Sequence, residues 1–193
     1  MRRLKNTSYD DNLVREFVVS FCRNKFGLNL KSNEKIKKID LLGIDDPQLG
    51  VEVEHGKWEG NFWKNDTYSL ISGLRYRTAN IPARKEKYWK DEIKYYGKIK
   101  KNHSATKNIF IRTNKDFSQI LIIRPETIRD SNKLIRTKFQ PRNSNEVEDW
   151  LSFRKKDVET YNLINGDYVL DTHVEEEENF IKKIWNKLIH LLK

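Results

Sequence analysis

The chain has 193 residues, of which 37% are hydrophobic and 34% are charged, and its formal net charge is +10. This length is enough for one folded domain with a core, while the absence of any apolar run near the roughly 20 residues of a membrane span excludes a transmembrane protein. The basic balance favours a polyanionic partner such as nucleic acid or an anionic membrane surface. The lone Cys22 rules out a disulfide framework and predicts a reducing, cytoplasmic location.

The first half of the chain predicts a helix followed by a hairpin. Apolar residues recur at helical spacing over 11–26, with Asp10 and Asp11 as candidate caps and Gly27 as the stop. Residues 35–44 predict a strand, 45–50 a turn containing Pro and Gly, and 51–57 the returning strand.

The second half of the core predicts a third strand and a second hairpin. Residues 74–82 look like a strand that ends at Pro82, and 83–102 predict a helix that fades into a basic loop. The apolar stretches 107–114 and 117–125 flank a short polar turn and predict a central hairpin.

The C-terminal part predicts two helices, over 145–164 and from about 174 to the end of the chain, the second with acids near its start and lysines near its end. Taken together, the elements predict a mixed α/β fold with a sheet of about five strands. We expect residues 1–130 to form the α/β core and residues 131–193 a helical C-terminal extension packed on it.

Carboxylates on the first predicted hairpin are the main candidates for chemistry. In a strand, residues two apart share a face, so Glu52 and Glu54 project together while Val51 and Val53 face a core. If 45–50 closes a hairpin, Asp40 lies beside this pair. Three carboxylates on neighbouring strands would form an oxygen cage suited to Mg²⁺ or Mn²⁺.

An ordinary amphipathic strand would explain the same alternation of acids and valines. Two carboxylates about 7 Å apart repel by roughly 2 kcal/mol at an effective dielectric constant near 20, but by well under about 1 kcal/mol in bulk water. A solvated face therefore needs no cation, whereas a cleft needs either a cation or a protonated acid. The pattern alone leaves both readings open.

An acid on one strand followed by an acid-x-acid pair on the next resembles the PD-(D/E)XK nuclease superfamily. The matching pieces are Ile39-Asp40 and Val51-Glu52-Val53-Glu54, preceded by a helix and followed by further strands. The stretches "RTANIPARKEKYW" and "IFIRTNKDFSQILIIRPETI" are also similar to small phage proteins often placed in this superfamily. The resemblance covers about residues 10–128, and it implies a restriction-endonuclease-like core. Ile39 replaces the proline of the motif, and Glu54 replaces its lysine.

The resemblance implies hydrolysis of DNA phosphodiester bonds with Mg²⁺ as cofactor and Mn²⁺ as a substitute. Asp40 and Glu52 would hold the metal, with the Val53 carbonyl as an additional ligand, and Glu54 would share it or position the attacking water. The lysine role could instead have moved to Lys57 or Lys85. Glu16 on the first helix is a candidate outer ligand, although a surface acid has the same position on the helix.

A basic and aromatic stretch follows the predicted metal strands. Its lysines favour contact with phosphates, while its tyrosines and Trp89 are better explained as core residues than as base-stacking platforms. The candidate nucleic-acid contacts are Arg75, Arg77, Arg84, Lys85, Lys87 and Lys90.

Three functions remain open on the sequence. The first is a Mg²⁺-dependent endonuclease acting on DNA, with RNA not excluded and a homodimer as one oligomeric option. The second is a non-catalytic nucleic-acid-binding protein on the same scaffold. The third is a partner-binding protein that assembles through the acidic stretch 175–178 and the terminal helix.

Overall fold

The structure, a computed structural model, describes residues 9–33, 38–64, 78–95, 98–139 and 147–172. Their strands form a seven-stranded sheet, a three-stranded sheet and a separate two-stranded sheet. The α-helices are α1 (Tyr9–Phe26) and α2 (Pro125–Arg129), and 3₁₀ turns cover Phe62–Lys64, Ala83–Tyr88 and Lys155–Asp157. The strands are β1 (Leu30–Ser32), β2 (Leu41–Gly43), β3 (Gly50–His55), β4 (Ala79–Pro82), β5 (Glu92–Tyr95), β6 (Lys98–Lys101), β7 (Ile109–Thr113), β8 (Gln119–Ile123), β9 (Ile135–Phe139), β10 (Glu148–Phe153), β11 (Glu159–Ile164) and β12 (Asp167–Leu170).

The large sheet has the order β1-β2-β3-β7-β8-β11-β12 and is mixed. Strands β3 and β7 run parallel, while the other neighbours in this sheet run antiparallel. Because parallel strands need a crossover connection, the chain leaves the sheet after β3, forms the segment that contains β4, β5 and β6, and returns as β7. The coarse prediction of a mixed α/β fold is confirmed, with more strands than expected.

The large sheet is covered on both faces. One face packs against α1 through Val18, Phe21 and Cys22, together with sheet residues such as Val51 and Ile111. The other face carries a second apolar cluster that joins β7 and β8 to β4, β10 and α2. Alternate residues of the central strands therefore serve two different cores, which explains why β7 and β8 read as nearly continuous apolar runs.

The first helix and both predicted hairpins are confirmed. Helix α1 ends at Phe26, and Gly27 follows with φ +66°, a left-handed conformation that favours glycine. Strands β2 and β3 form the first hairpin, with Leu41 opposite Val51, and β7 and β8 form the second.

The prediction for 83–102, a helix that fades into a basic loop, is wrong beyond residue 88. A 3₁₀ turn covers Ala83–Tyr88, and an antiparallel hairpin of β5 and β6 follows. Ile93, Tyr95 and Ile99 alternate with polar residues at the period of a strand, and "YG" at 96–97 interrupts the pattern as a turn would.

The helix predicted over 145–164 is also wrong. Strand β10 pairs with β4 and β9, and β11 pairs with β8 of the large sheet. Trp150, Phe153 and Tyr161 favour strands, and the partner strands supply hydrogen bonds that local periodicity cannot reveal. The described residues after 130 are thus mostly strand rather than a helical extension, while the predicted helix from 174 onward lies outside the described residues.

Among the described residues, no helix is both long and apolar enough to cross a membrane.

Candidate active site

Asp40 and Glu52 lie side by side where strand β2 begins opposite β3. The register that pairs Leu41 with Val51 places Asp40 opposite Glu52 when it is continued by one residue. The backbone N–H of Val53 donates a hydrogen bond of 3.0 Å to Oδ2 of Asp40, which fixes that carboxylate against the edge of β3. The proximity predicted for these two acids is therefore present.

Each of the two carboxylates is paired with one cation. Nη2 of Arg15 on α1 lies 2.6 Å from Oδ1 of Asp40, and Nζ of Lys85 lies 2.6 Å from Oε1 of Glu52. The side chain of Glu52 is 5% exposed and that of Lys85 20%, so this second pair is largely removed from water. Buried charges need such partners, because an isolated charge in a low-dielectric interior is very costly.

Glu52 is the most strongly perturbed carboxyl of the group. Burial raises the pKa of Glu52 to about 7, the nearby Lys85 ammonium works against this shift, and the Asp40 carboxylate adds to it. Among the described residues, no hydrogen-bond donor reaches its buried Oε2. Glu52 therefore has one oxygen that is shielded from water and receives no hydrogen bond from the described residues.

These side chains line a cleft of about 200 Å³. The lining residues are Asp11, Val14, Arg15, Asp40, Glu52, Val53, His55 and Lys85. Tyr88 lies near these acids. Burial raises the pKa of its phenol to about 12, and the carboxylates of Glu52 and Asp40 add to this effect. The cleft thus joins residues from α1, the β2–β3 hairpin and the crossover segment.

Glu54 does not line this cleft, contrary to the three-carboxylate cage predicted from the sequence. Its carboxylate lies 3.3 Å from Nη2 of Arg112 on β7, and the Arg112 guanidinium lies 5.1 Å from the centre of the Trp58 ring. The parallel register places Glu54 beside Arg112. The Glu54 carboxylate is therefore paired with the guanidinium of a neighbouring strand rather than grouped with the carboxylates of the cleft. In the part of the chain that the structure describes, no group of three or more His, Cys, Asp or Glu residues could hold a metal ion.

The remaining candidates for metal binding and catalysis are placed elsewhere. Glu16 is exposed on α1 and does not line the cleft, which agrees with the surface-acid alternative. Lys57 is exposed just after β3 and is likewise not among the lining residues, so Lys85 is the lysine that the fold delivers to the acidic pair.

The candidate phosphate contacts fall into three groups. Arg84 forms an ion pair with Glu148, and Lys90 lies 3.1 Å from a carboxylate oxygen of Glu86. Lys87 is exposed and lies over the ring of Tyr88. Arg75 and Arg77 lie outside the described residues.

Two residues were not predicted from the sequence: Arg15, which lines the cleft, and Tyr88, which lies near its acids. Arg15 lies one turn after Asp11 and next to Val14 on the helix face that meets the sheet. An arginine that borders a buried helical stripe is a signal for a partner acid below it. Tyr88 gives no such signal, because its position depends on the 3₁₀ turn that was predicted as regular helix.

Two carboxylates in one cleft are compatible with Mg²⁺, which is commonly held by one or two carboxylates together with water and substrate phosphate. Oε2 of Glu52, which receives no hydrogen bond from the described residues and belongs to a residue of the cleft, fits such an ion; Oε2 of Glu54 also lacks a hydrogen bond but Glu54 does not line the cleft. The Val53 carbonyl points to the same side of β3 as its N–H, which faces Asp40. Asp40, Glu52 and this carbonyl would therefore be the ligands.

Comparison of the chain with protein-family models, with curated proteins and with solved structures finds no match.

Proposed function

We propose that this protein is a metal-dependent nuclease that hydrolyses phosphodiester bonds of DNA in the cleft between α1 and β3. The observation that carries the proposal is the convergence of Asp40, Glu52 and Lys85 in one cleft, from three separate parts of the chain. Two acids and a lysine are the chemical groups of the PD-(D/E)XK motif, here with the lysine contributed by the crossover segment rather than by β3.

Each residue has a distinct role in the proposed reaction. Asp40 and Glu52 would hold Mg²⁺, which supplies Lewis acidity at the scissile phosphate and lowers the pKa of water. Lys85, whose Nζ already lies 2.6 Å from Glu52, would donate a hydrogen bond to a phosphate oxygen or to the attacking water. The water oxygen would attack phosphorus and give up a proton to solvent, the bond from phosphorus to the leaving oxygen of the sugar would break, and that leaving oxygen would take up a proton from solvent.

Arg15 acts as a positioning residue in this proposal. It holds one oxygen of Asp40, while the N–H of Val53 holds the other. Two fixed contacts leave the carboxylate little freedom to rotate, and a preorganised carboxylate loses less entropy when it binds a cation.

The test is cleavage of a supercoiled plasmid by the purified protein in Mg²⁺, beside an EDTA control. We expect nicked or linear product from the wild type and at least about a 100-fold loss in Asp40→Asn and Glu52→Gln, since even outer-shell partners of metal ligands are worth 10–100-fold. Mg²⁺ should also raise the melting temperature of the wild type but not of Asp40→Asn, because a ligand of the native state stabilises it.

Two outcomes would reject the nuclease. One is no cleavage of supercoiled, linear or single-stranded DNA by a folded wild type. The other is cleavage that persists at the wild-type rate in Asp40→Asn, which would indicate a contaminating enzyme.

One observation favours the second candidate, a nucleic-acid-binding protein without activity. Both carboxylates already have a cation, Arg15 for Asp40 and Lys85 for Glu52, and such pairs also occur as purely structural networks. This alternative predicts salt-sensitive binding of DNA that survives Asp40→Asn, with no Mg²⁺-dependent change in melting temperature.

A further inference from the structure

A groove of about 550 Å³ lies between helix α1 and strand β12. The strand lines it from Gly166 to Leu170, and the helix lines it with Phe17, Ser20, Phe21, Asn24 and Lys25. Residues three and four apart share one face of a helix, so α1 presents a single continuous wall. The groove is separate from the cleft that holds Asp40 and Glu52, because the two share no lining residue.

Apolar side chains of the β11–β12 hairpin remain exposed at this groove. Val169 and Leu170 are 45% and 42% exposed, and both line the groove. Leu163 pairs with Tyr168, so the two side chains lie on one face of the sheet, and Leu163 is 43% exposed. Strand β12 is also an edge strand of the large sheet, and proteins commonly cover such an edge with a helix or a loop. Among the described residues, this apolar surface therefore lacks a cover.

The residues that follow β12 have the sequence pattern of a helical cover. The described range 147–172 ends two residues after Leu170, which lines the groove. In the sequence after residue 172, apolar residues recur at helical spacing, at Ile181, Ile184, Trp185, Leu188 and Leu192. An isolated helix of this length is only marginally stable in water. Such an apolar stripe therefore needs a surface against which it can be buried.

The point at which the chain leaves β12 lies at one end of the groove. Leu170 pairs with Tyr161, and the ring centre of Tyr161 lies 5.9 Å from that of Phe26, the last residue of α1. Strand β12 therefore ends beside the last turn of the helix. The N–H of Asp171 donates a hydrogen bond to the carbonyl of Thr160, which fixes this point to the sheet. A segment that turns back from here runs along the groove antiparallel to α1.

Charge and length agree with this direction. The last turn of α1 carries Arg23 and Lys25, and a segment that enters the groove at this end brings the four acids at 175–178 next to them. At a rise of 1.5 Å per residue, a helix over 180–192 would be about 20 Å long, whereas α1 from Phe17 to Lys25 is about 12 Å long. The apolar stripe is therefore long enough to fill the groove.

From these observations we infer that residues 173–193 fold back as an amphipathic helix, antiparallel to α1, and fill the groove with their apolar stripe. The occupant is a segment of the same molecule, because a segment that begins at the groove has a far higher effective concentration there than a second copy has. Helix α1 also carries Arg15 to Asp40, so the docked segment would support the element that positions one acid of the cleft. The inference does not depend on the proposed nuclease function.

The test is hydrogen exchange of the full chain, measured by mass spectrometry. Ser20→Arg places a long cationic side chain in the groove, and Leu188→Asp places a charge in the apolar stripe. Asn12→Arg is the matched control, because Asn12 is exposed on α1 and lines neither the groove nor the cleft. We expect peptides covering 180–192 to be protected in the wild type and in the control, and to exchange at least about 10-fold faster in Ser20→Arg and Leu188→Asp, because docking suppresses local opening.

Peptides from β7 and β8 should keep the wild-type exchange rate in all three variants, which shows that the fold is intact. Unprotected peptides over 180–192 in the wild type would overturn the inference, and so would equal protection in Ser20→Arg and Asn12→Arg. Light scattering at the same concentrations identifies the molecule that supplies the segment. A monomer mass with full protection supports the intramolecular cover, whereas a dimer mass with protection that declines on dilution would assign the groove to the segment of a second copy and reject it.

Discussion

Glu52 shows how the surroundings of one residue decide its chemistry. Its side chain is 5% exposed, yet it is neighboured by Asp40 and Lys85, which act on its ionisation in opposite directions. With a pKa of about 7, the carboxyl is divided between its two protonation states near neutral pH. A cation that requires the ionised form therefore competes with a proton at Glu52, and metal affinity should rise with pH through this range.

In the proposed nuclease, Lys85 and Glu54 are the two candidates for the role of the lysine in the PD-(D/E)XK motif. Variants of the two residues distinguish these candidates. Because Lys85 lies in the cleft and Glu54 is paired with Arg112, we expect Lys85→Ala to lower kcat about 100- to 1000-fold, the usual cost of removing one hydrogen-bond donor to a transition state. Glu54→Gln should retain most of the activity. Plasmid cleavage at saturating DNA measures both.

Lys133→Ala serves as the control for loss of a lysine outside the cleft, on the segment after α2. The opposite ranking, with an active Lys85→Ala and an inactive Glu54→Gln, would restore the acid-x-acid motif read from the sequence and remove Lys85 from the reaction.

The raised pKa of Glu52 also predicts a pH dependence of stability. A carboxyl with a higher pKa in the folded than in the unfolded state stabilises the fold fully below its unfolded value, here 4.5, and this contribution is lost as pH rises through about 7. Since one pKa unit corresponds to about 1.4 kcal/mol, the loss is about 3 kcal/mol. In EDTA, Glu52→Gln should therefore lose less stability than the wild type between pH 4.5 and pH 8, as measured by urea unfolding.

An exposed carboxyl on α2 provides the comparison, because Glu126→Gln should follow the pH dependence of the wild type. Parallel curves for Glu52→Gln and wild type would show that the Glu52 carboxyl is not perturbed by its surroundings.

At the scale of elements, the sequence predicts pairings between neighbouring segments of the chain better than pairings between distant segments. The adjacency of Asp40 and Glu52 follows from a short hairpin, whose register is set by nearby residues. The arrival of Lys85 depends on the crossover between parallel strands β3 and β7, which no local pattern encodes. The separation of Glu54 from the other two acids could not be predicted for the same reason, because its partner Arg112 lies on a strand far along the chain.

The strands missed in the second half illustrate the same limit. Residues of β10 and β11 were predicted as helix, yet β10 lies between β4 and β9, and β11 between β8 and β12. Their hydrogen-bond partners come from distant segments, and tertiary pairing overrides weak helical propensity.

The central strands of the large sheet should contribute most of the stability of the fold, while the β5–β6 hairpin should contribute little. Ile122 on β8 is 1% exposed and packs in the core beneath α1, so Ile122→Ala should cost about 2–5 kcal/mol of unfolding free energy. Ile99 is 69% exposed, and Ile99→Ala should cost less than about 1 kcal/mol. Urea unfolding followed by circular dichroism measures both, and similar losses in the two variants would contradict this division.

At the scale of the whole molecule, the large sheet is a platform with different tasks on its two faces. One face is covered by α1, and the other is covered by the three-stranded sheet and α2. The cleft opens where α1, the β2–β3 hairpin and the crossover segment meet. The net charge of +10 attracts polyanions to the entire surface. In the proposed nuclease, Asp40, Glu52 and Lys85 mark the place on this surface where a phosphate chain would be cleaved.

The parallel pairing of β3 with β7 has a consequence for synthesis on the ribosome. Until residues 109–113 have emerged, β3 has no neighbour on that side, and the segment that carries Lys85 has no returning strand to hold it over Glu52. A nascent chain that ends within the crossover would display its acids without their lysine. The cleft is thus completed only after synthesis has passed β7, so Asp40, Glu52 and Lys85 come together in one late step of folding rather than as each segment emerges.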